Sequence, residues 1–261
     1  MTTFPKRLNW VLPRLDVLGE RIGLSVHRRE YNLRLVRAST RAIVAEVEAY
    51  TMTDDLAIVG LIDALDHLDE AGVTGAFVEC GVWRGGSAMA AALRMLETGG
   101  TRDLWLYDTY EGMTEPTDHD VRARDELNAK EHFATSRAAQ PSARSDWFWA
   151  ESTLEDVERN ISSTGYPMDR VHLVRGPVEQ TIPVQAPDTI ALLRLDTDWY
   201  ESTKHELIHL FPRLQSGGIL IVDDYHYWRG SRKAVDEYFG ECEMSPFFSR
   251  IGTNGAVIAK F

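Results

Sequence analysis

Gly75-Ala76-Phe77-Val78-Glu79-Cys80-Gly81-Val82-Trp83-Arg84-Gly85-Gly86-Ser87 is a short apolar run broken by glycines, followed by an alanine-rich segment from Ser87 to Leu96. Apolar residues bounded by glycine favour a buried strand, and the alanines favour a helix, so the stretch reads as strand, tight turn, helix. The same rhythm recurs downstream. Leu104–Asp108, Val171–Gly176, Ile190–Asp196 and Gly218–Asp224 are four further apolar runs. Helical patterns separate them, notably Ser202–Leu214, and another helix is expected over Ser231–Phe239. Apolar strands alternating with helices imply an α/β fold, a mostly parallel sheet covered on both faces. Phe247–Ile251 and Ala256–Phe261 read as a closing hairpin.

Upstream, Val36 to Leu68 carries apolar residues at helical spacing and predicts an N-terminal helical layer, with Thr53-Asp54-Asp55 suited to a helix start. Residues 1–70 are therefore expected to form an arm and helical extension, and 71–261 the main domain. The segment 111–150 is longer than a simple connector and holds Pro116, Pro141 and the cluster Trp147-Phe148-Trp149. A partly helical lid is the expectation there.

The 261 residues carry a net charge of -12, a poor match for a polyanion, so nucleic acid is disfavoured as the main ligand. Cys80 and Cys242 form neither a disulfide framework nor a metal-binding spacing, which suits a reducing cytoplasm. Pro5, Pro13 and several charges interrupt the N-terminus before any signal or membrane-spanning run develops, and no membrane partner is expected. Trp10, Leu12, Leu15 and Leu18 on this arm could pack against a second subunit, and a homodimer is the expectation.

In an open parallel sheet, ligands gather beyond the carboxyl ends of the strands. The glycine turn after Glu79 would let a backbone approach a ligand, with Glu79 able to meet a cationic amine; plain helix packing is the competing use of such a turn. Gly81, Gly85 and Gly86 do not fall in GxGxxG spacing, which disfavours nicotinamide. Asp108, ending the second strand, has the position of a ribose-binding acid, although strand-end acids also serve as turn residues. Asp196-Thr197-Asp198 and Asp223-Asp224 crowd carboxylates at one edge. Such groups raise one another's pKa unless a cation is present, and oxygen ligands point to Mg²⁺ before Ca²⁺ or Mn²⁺. An acidic, solvated rim is the alternative. His205 and His209 lie i, i+4 without an HExxH sequence and read as solvated. Tyr225, His226, Tyr227 and Trp228 could wall a pocket or pack in the core.

Four motifs, VECGVWRGGS (78–87), LYDTYEGM (106–113), LLRLDTDWYEST (192–203) and GGILIVDDYHYWRGSRKAVDEYF (217–239), carry a resemblance. From Thr51 to Lys260 the chain resembles the macrocin, mycinamicin and novobiocin O-methyltransferases. The resemblance implies a class I methyltransferase fold, S-adenosylmethionine as cofactor, Mg²⁺, and a small-molecule hydroxyl acceptor, a sugar of a natural product. It puts Glu79, Gly81, Trp83, Arg84, Gly85, Gly86 and Ser87 around the methionine part of the cofactor and Asp108 on its ribose. Pro177, Val178 and Glu179 fall near adenine, and Met52, beside Thr51, on a segment closing over the cofactor. Asp196, Asp223 and Asp224 are implied metal ligands, with Asp196 also in the cofactor pocket, and Asp198 is the implied general base. A catechol-like acceptor and a non-catalytic S-adenosylmethionine-binding protein are the alternatives. Selection of the acceptor is expected between Pro116 and Trp149.

Overall fold

The structure is a computed structural model that describes residues 33, 35–138 and 146–261, without the side chains of residues 146 and 147. The arm residues Trp10, Leu12, Leu15 and Leu18, and Pro141 of the expected lid, lie outside the described residues. The chain divides into two compact units, Met1–Val36 and Arg37–Phe261, and the sheet belongs to the second.

Helices α1 (Ala38–Val47) and α2 (Asp55–Glu70) lead into β1 (Ala76–Cys80) and α3 (Gly86–Thr98). Then come β2 (Leu104–Asp108), α4 (Ala129–Arg137), α5 (Asp146–Trp149), α6 (Leu154–Ser163) and β3 (Val171–Arg175). The short α7 (Val178–Thr181) precedes β4 (Ile190–Leu195), α8 (Tyr200–Leu210), β5 (Leu214–Val222) and α9 (Arg229–Glu241). Strands β6 (Ser249–Ile251) and β7 (Gly255–Ala259) close the chain.

The seven strands lie in the order β3-β2-β1-β4-β5-β7-β6, with β7 antiparallel to both neighbours and the rest parallel. Every residue of β1 and β4 is buried, as a strand covered on both faces requires. Val78, Cys80, Leu193 and Leu195 share one core with Leu207, Leu210, Val235 and Phe239 of α8 and α9. The alternate residues, Glu79 and Arg194 among them, face the opposite side, where α2 packs on β4 and β5. Strand order reverses between β1 and β4, which opens a crevice beyond their carboxyl ends. No helix among the described residues is long and apolar enough to cross a membrane.

The structure corrects three expected boundaries. The helical layer breaks at Thr51–Asp54, and Asp54 rather than Thr53 caps α2, its Oδ1 accepting the Leu56 and Ala57 amides at 3.0 Å. Helix α8 stops at Leu210, because Pro212 lies in a 3₁₀ turn, and Leu214 already begins β5. That strand runs through Gly217 and Gly218, held by Gly217 N–H to the Lys260 carbonyl (2.5 Å) and Lys260 N–H to the Gly218 carbonyl (2.8 Å).

Candidate active site

The turn after β1 takes left-handed backbone at Gly81 (φ 84°), Trp83 (φ 48°) and Gly85 (φ 88°). A Cβ on Gly81 would stand 2.0 Å from the Asp196 carbonyl oxygen, and one on Gly86 would stand 2.6 Å from that of Tyr50. These glycines are thus required by the protein's own close packing. Asp108 organises the same turn: Oδ2 accepts the Val82 (2.7 Å) and Trp83 (3.0 Å) amides, and Oδ1 accepts the Tyr110 amide (2.8 Å).

A cavity of 520 Å³ opens above the strand ends. Met52, Gly81, Trp83, Gly86, Ser87 and Asp108 form one side of its lining, and Asp196, Asp198, Asp223 and Asp224 another. Pro177, Val178 and Glu179 line a smaller cavity of 60 Å³ that shares Gly81, Asp108 and Asp196 with the first, so the two adjoin. Glu79, Arg84 and Gly85 line neither. Glu79 is 1% exposed and turned to Arg194; Arg84 lies over the Trp83 ring at 4.7 Å; Gly85 precedes α3 and packs toward Val157 and Ile161 of α6.

Asp196, Asp223 and Asp224 each offer a carboxylate oxygen, all within 4.8 Å of one another. Burial pushes the carboxyls of Asp196 and Asp224 well up, Arg194 opposing this at Asp196 and the neighbouring aspartates reinforcing it. Asp198 is pushed up to about 7 by burial, against hydrogen bonds from Trp228 and with Asp224. Its backbone is left-handed (φ 66°), and Trp228 Nε1 donates to its Oδ1 at 2.7 Å. Asp224 is 7% exposed and its buried Oδ2 has no hydrogen-bond partner in the protein. A buried orphan oxygen among crowded, all-oxygen donors fits a hard divalent cation, which would relieve the repulsion.

Three residues absent from the sequence reading support this cluster. Arg194, 2% exposed, donates from Nη1 to Glu79 Oε1 and Asp196 Oδ2, both at 2.7 Å. Glu206, fully buried, accepts from Thr197 Oγ1 at 2.9 Å, directly beneath the Asp196–Asp198 turn. Asp120, also fully buried, accepts the Tyr200 amide at 2.8 Å and so holds the expected lid segment to the start of α8. One signal could have exposed Arg194 and Glu206: an ionisable residue where its element must be buried needs a partner. Asp120, in an irregular segment, carried no such signal.

Aromatic rings close the far wall. Phe133, Phe148, Trp149, Trp199 and Trp228 form one buried cluster, with Trp199 and Trp228 edge to face at 5.0 Å. Phe148, Trp199, Tyr227 and Trp228 reach the main cavity. Tyr225 instead packs in the core, its ring stacked on Phe248 and its hydroxyl donating to Asp236 (2.7 Å). His205 is held to the Ile182 carbonyl at 3.0 Å, with the His209 ring 4.4 Å away.

The strand order, the crevice at its reversal and the glycine turn with Asp108 define a class I methyltransferase fold. Residues 26–259 match the family described as Macrocin-O-methyltransferase (TylF), and the chain belongs to that O-methyltransferase family. It is 35% identical over 205 residues, 76% of this chain and 73% of the relative, to 8-demethyl-8-(2,3-dimethoxy-alpha-L-rhamnosyl)-tetracenomycin-C 4'-O-methyltransferase of Streptomyces olivaceus. It is 32% identical over 192 residues, 73% of this chain and 70% of the relative, to Mycinamicin III 3''-O-methyltransferase of Micromonospora griseorubida. Among solved structures, the O-methyltransferase NovP superposes with a TM-score of 0.67 at 27% identity, covering 81% of this chain and 82% of that one.

Proposed function

We propose that the protein is an S-adenosylmethionine- and Mg²⁺-dependent O-methyltransferase acting on a sugar hydroxyl of a natural product. The observation that carries this reading is the position of the Asp196, Asp223 and Asp224 cluster and Asp198 on a cavity that also meets the glycine turn and Asp108. The names of the two relatives, which specify 4' and 3'' oxygens, support a sugar acceptor.

In this reading Gly81, Trp83, Gly86 and Ser87 surround the methionine portion of the cofactor, Met52 lies on the segment that closes over it, Asp108 meets its ribose, and Pro177, Val178 and Glu179 flank adenine in the smaller cavity. Glu79, Arg84 and Gly85 act from behind that wall. S-adenosylmethionine supplies an electrophilic methyl group, and a cation held by Asp196, Asp223 and Asp224 would supply Lewis acidity to a neighbouring hydroxyl. Asp198, on the same cavity as the cluster, takes the hydroxyl proton. Trp228 fixes one oxygen of that carboxylate, while Phe148, Trp199 and Tyr227 exclude water and orient the acceptor. The aromatic wall also favours a second reading, a vicinal aromatic diol, which a comparison of glycosylated and catechol acceptors separates.

Calorimetric titration of S-adenosylmethionine and then Mg²⁺, with Asp223→Asn alongside, tests the proposal. Binding of both, with loss of the metal signal in the variant, is expected. Cofactor binding that is indifferent to Mg²⁺, together with methyl transfer in chelator, would overturn the metal assignment.

A further inference from the structure

Arg194 stands opposite Glu79 in the β1–β4 register, at the end of the strand that delivers Asp196. Its two terminal nitrogens serve four different segments. Nη1 donates to Glu79 of β1 and to Asp196 just beyond β4. Nη2 donates to Thr53 Oγ1 at 2.7 Å and also stands 2.9 Å from Asp223 Oδ1, beyond β5. The guanidinium therefore touches two of the three clustered carboxylates and, on the nitrogen that meets Asp223, the chain segment before α2.

That segment is a wall of the main cavity: Tyr50, Thr51, Met52 and Thr53 all line it. Thr51 Oγ1 accepts the Thr53 amide at 3.0 Å, and the Cβ of Thr51 lies where a side chain on Gly86 would have to go. Thr53 is the point at which this wall is hydrogen-bonded to the charged cluster.

We infer that Arg194 is a positioning residue that couples the cofactor wall to the cation site through Thr53. The inference rests on the cofactor and cation reading above. Nη2 divides its attraction between Asp223 and Thr53. A dication drawing on Asp196 and Asp223 competes with the guanidinium for the same carboxylate charge, leaving Nη2 to Thr53. The wall is then held more firmly, and the cofactor with it. Linkage makes the effect reciprocal, so bound cofactor must tighten the cation by the same factor.

The test measures S-adenosylhomocysteine binding to the full chain by calorimetry, with and without saturating Mg²⁺, in wild type, Thr53→Val and Thr53→Ser. In wild type Mg²⁺ is expected to tighten binding about fivefold. Valine keeps the shape but offers no acceptor, and the ratio should fall to about one; serine should restore it. Titrating Mg²⁺ with and without S-adenosylhomocysteine should return the same wild-type factor. If Thr53 serves folding alone, valine weakens binding equally in both conditions and the ratio survives, which overturns the coupling. A wild-type ratio of one overturns it too, with the methyltransferase reading intact. Failure of wild type to bind S-adenosylhomocysteine overturns that reading and the coupling together.

Discussion

Trp228 Nε1 donates a 2.7 Å hydrogen bond to Oδ1 of Asp198, tying the loop after β5 to the turn after β4. A donor on one carboxylate oxygen aims the other. Trp228→Phe keeps an aromatic side chain, though a smaller one, and removes the donor, and its kcat should fall about tenfold or more, the worth of one hydrogen bond to a charged group. Asp198→Asn removes the proton acceptor itself and should cost about 10²- to 10⁴-fold. Both should bind S-adenosylmethionine as wild type does. Steady-state rates with an acceptor that wild type turns over check this, and an undiminished Asp198→Asn would take that residue out of the base role.

Asp224 carries a buried oxygen without a partner beside three other aspartates. In the cation-free fold its raised carboxyl must hold a proton that the unfolded chain gives up at neutral pH, and asparagine removes that cost, so Asp224→Asn should melt a few degrees higher, roughly 2–4 °C for about 1 kcal/mol in a chain of this size. Added Mg²⁺ should raise the melting temperature of wild type and leave the variant unmoved. Thermal melts in chelator and in excess Mg²⁺ read both effects; a variant that still responds to Mg²⁺ would exclude Asp224 as a ligand.

Glu206 gives a pH dependence whose sign follows from burial. Its carboxyl is held well above the ordinary 4.5, chiefly by desolvation, with the Thr197 hydroxyl pulling the other way. Below 4.5 the group is protonated in folded and unfolded chains alike, and it matches glutamine. As pH rises past 4.5 the unfolded chain ionises while the folded one does not, so wild type loses stability relative to Glu206→Gln. The difference should grow by about 1.4 kcal/mol per pH unit until the folded carboxyl ionises. Urea denaturation of both proteins from pH 4 to 7 measures it, and parallel curves would show that Glu206 is ionised in the fold.

Gly81 has no room for a side chain, since its Cβ would meet the Asp196 carbonyl at 2.0 Å in a left-handed backbone. Gly81→Ala should lose about 2–4 kcal/mol, from overpacking plus the cost of positive φ. Equilibrium denaturation tests this; a loss under 1 kcal/mol would mean that the β1 and β4 ends separate easily.

The central strands β1 and β4 were legible because both are buried on both faces and so read as near-continuous apolar runs, as in Ile190–Leu193. The start of β5 was not: Gln215-Ser216-Gly217-Gly218 looks like a turn, and its pairing with β7 joins residues more than forty apart in the chain. Asp196, Asp198, Asp223 and Asp224 were legible as a group because all four fall within three residues of a strand end. Arg194 was hidden by its neighbours. A lone arginine within Leu192-Leu193-Arg194-Leu195 gains meaning only when the sheet sets it opposite Glu79. Glu79 itself, expected at the cofactor, proved to face that arginine, because residue parity along β1 places it on the side away from Cys80.

The crowding at Gly81 bears on how variation in this protein should be interpreted. In a library scored for cellular abundance, replacements at position 81 should drop out alongside those of the innermost strand residues, since the clash is with the chain's own carbonyl. Replacements at Asp198 should persist in that screen and vanish only under selection for product. Intolerance at the glycine would thus report architecture, and intolerance at the aspartate would report chemistry, although the two lie on one cavity.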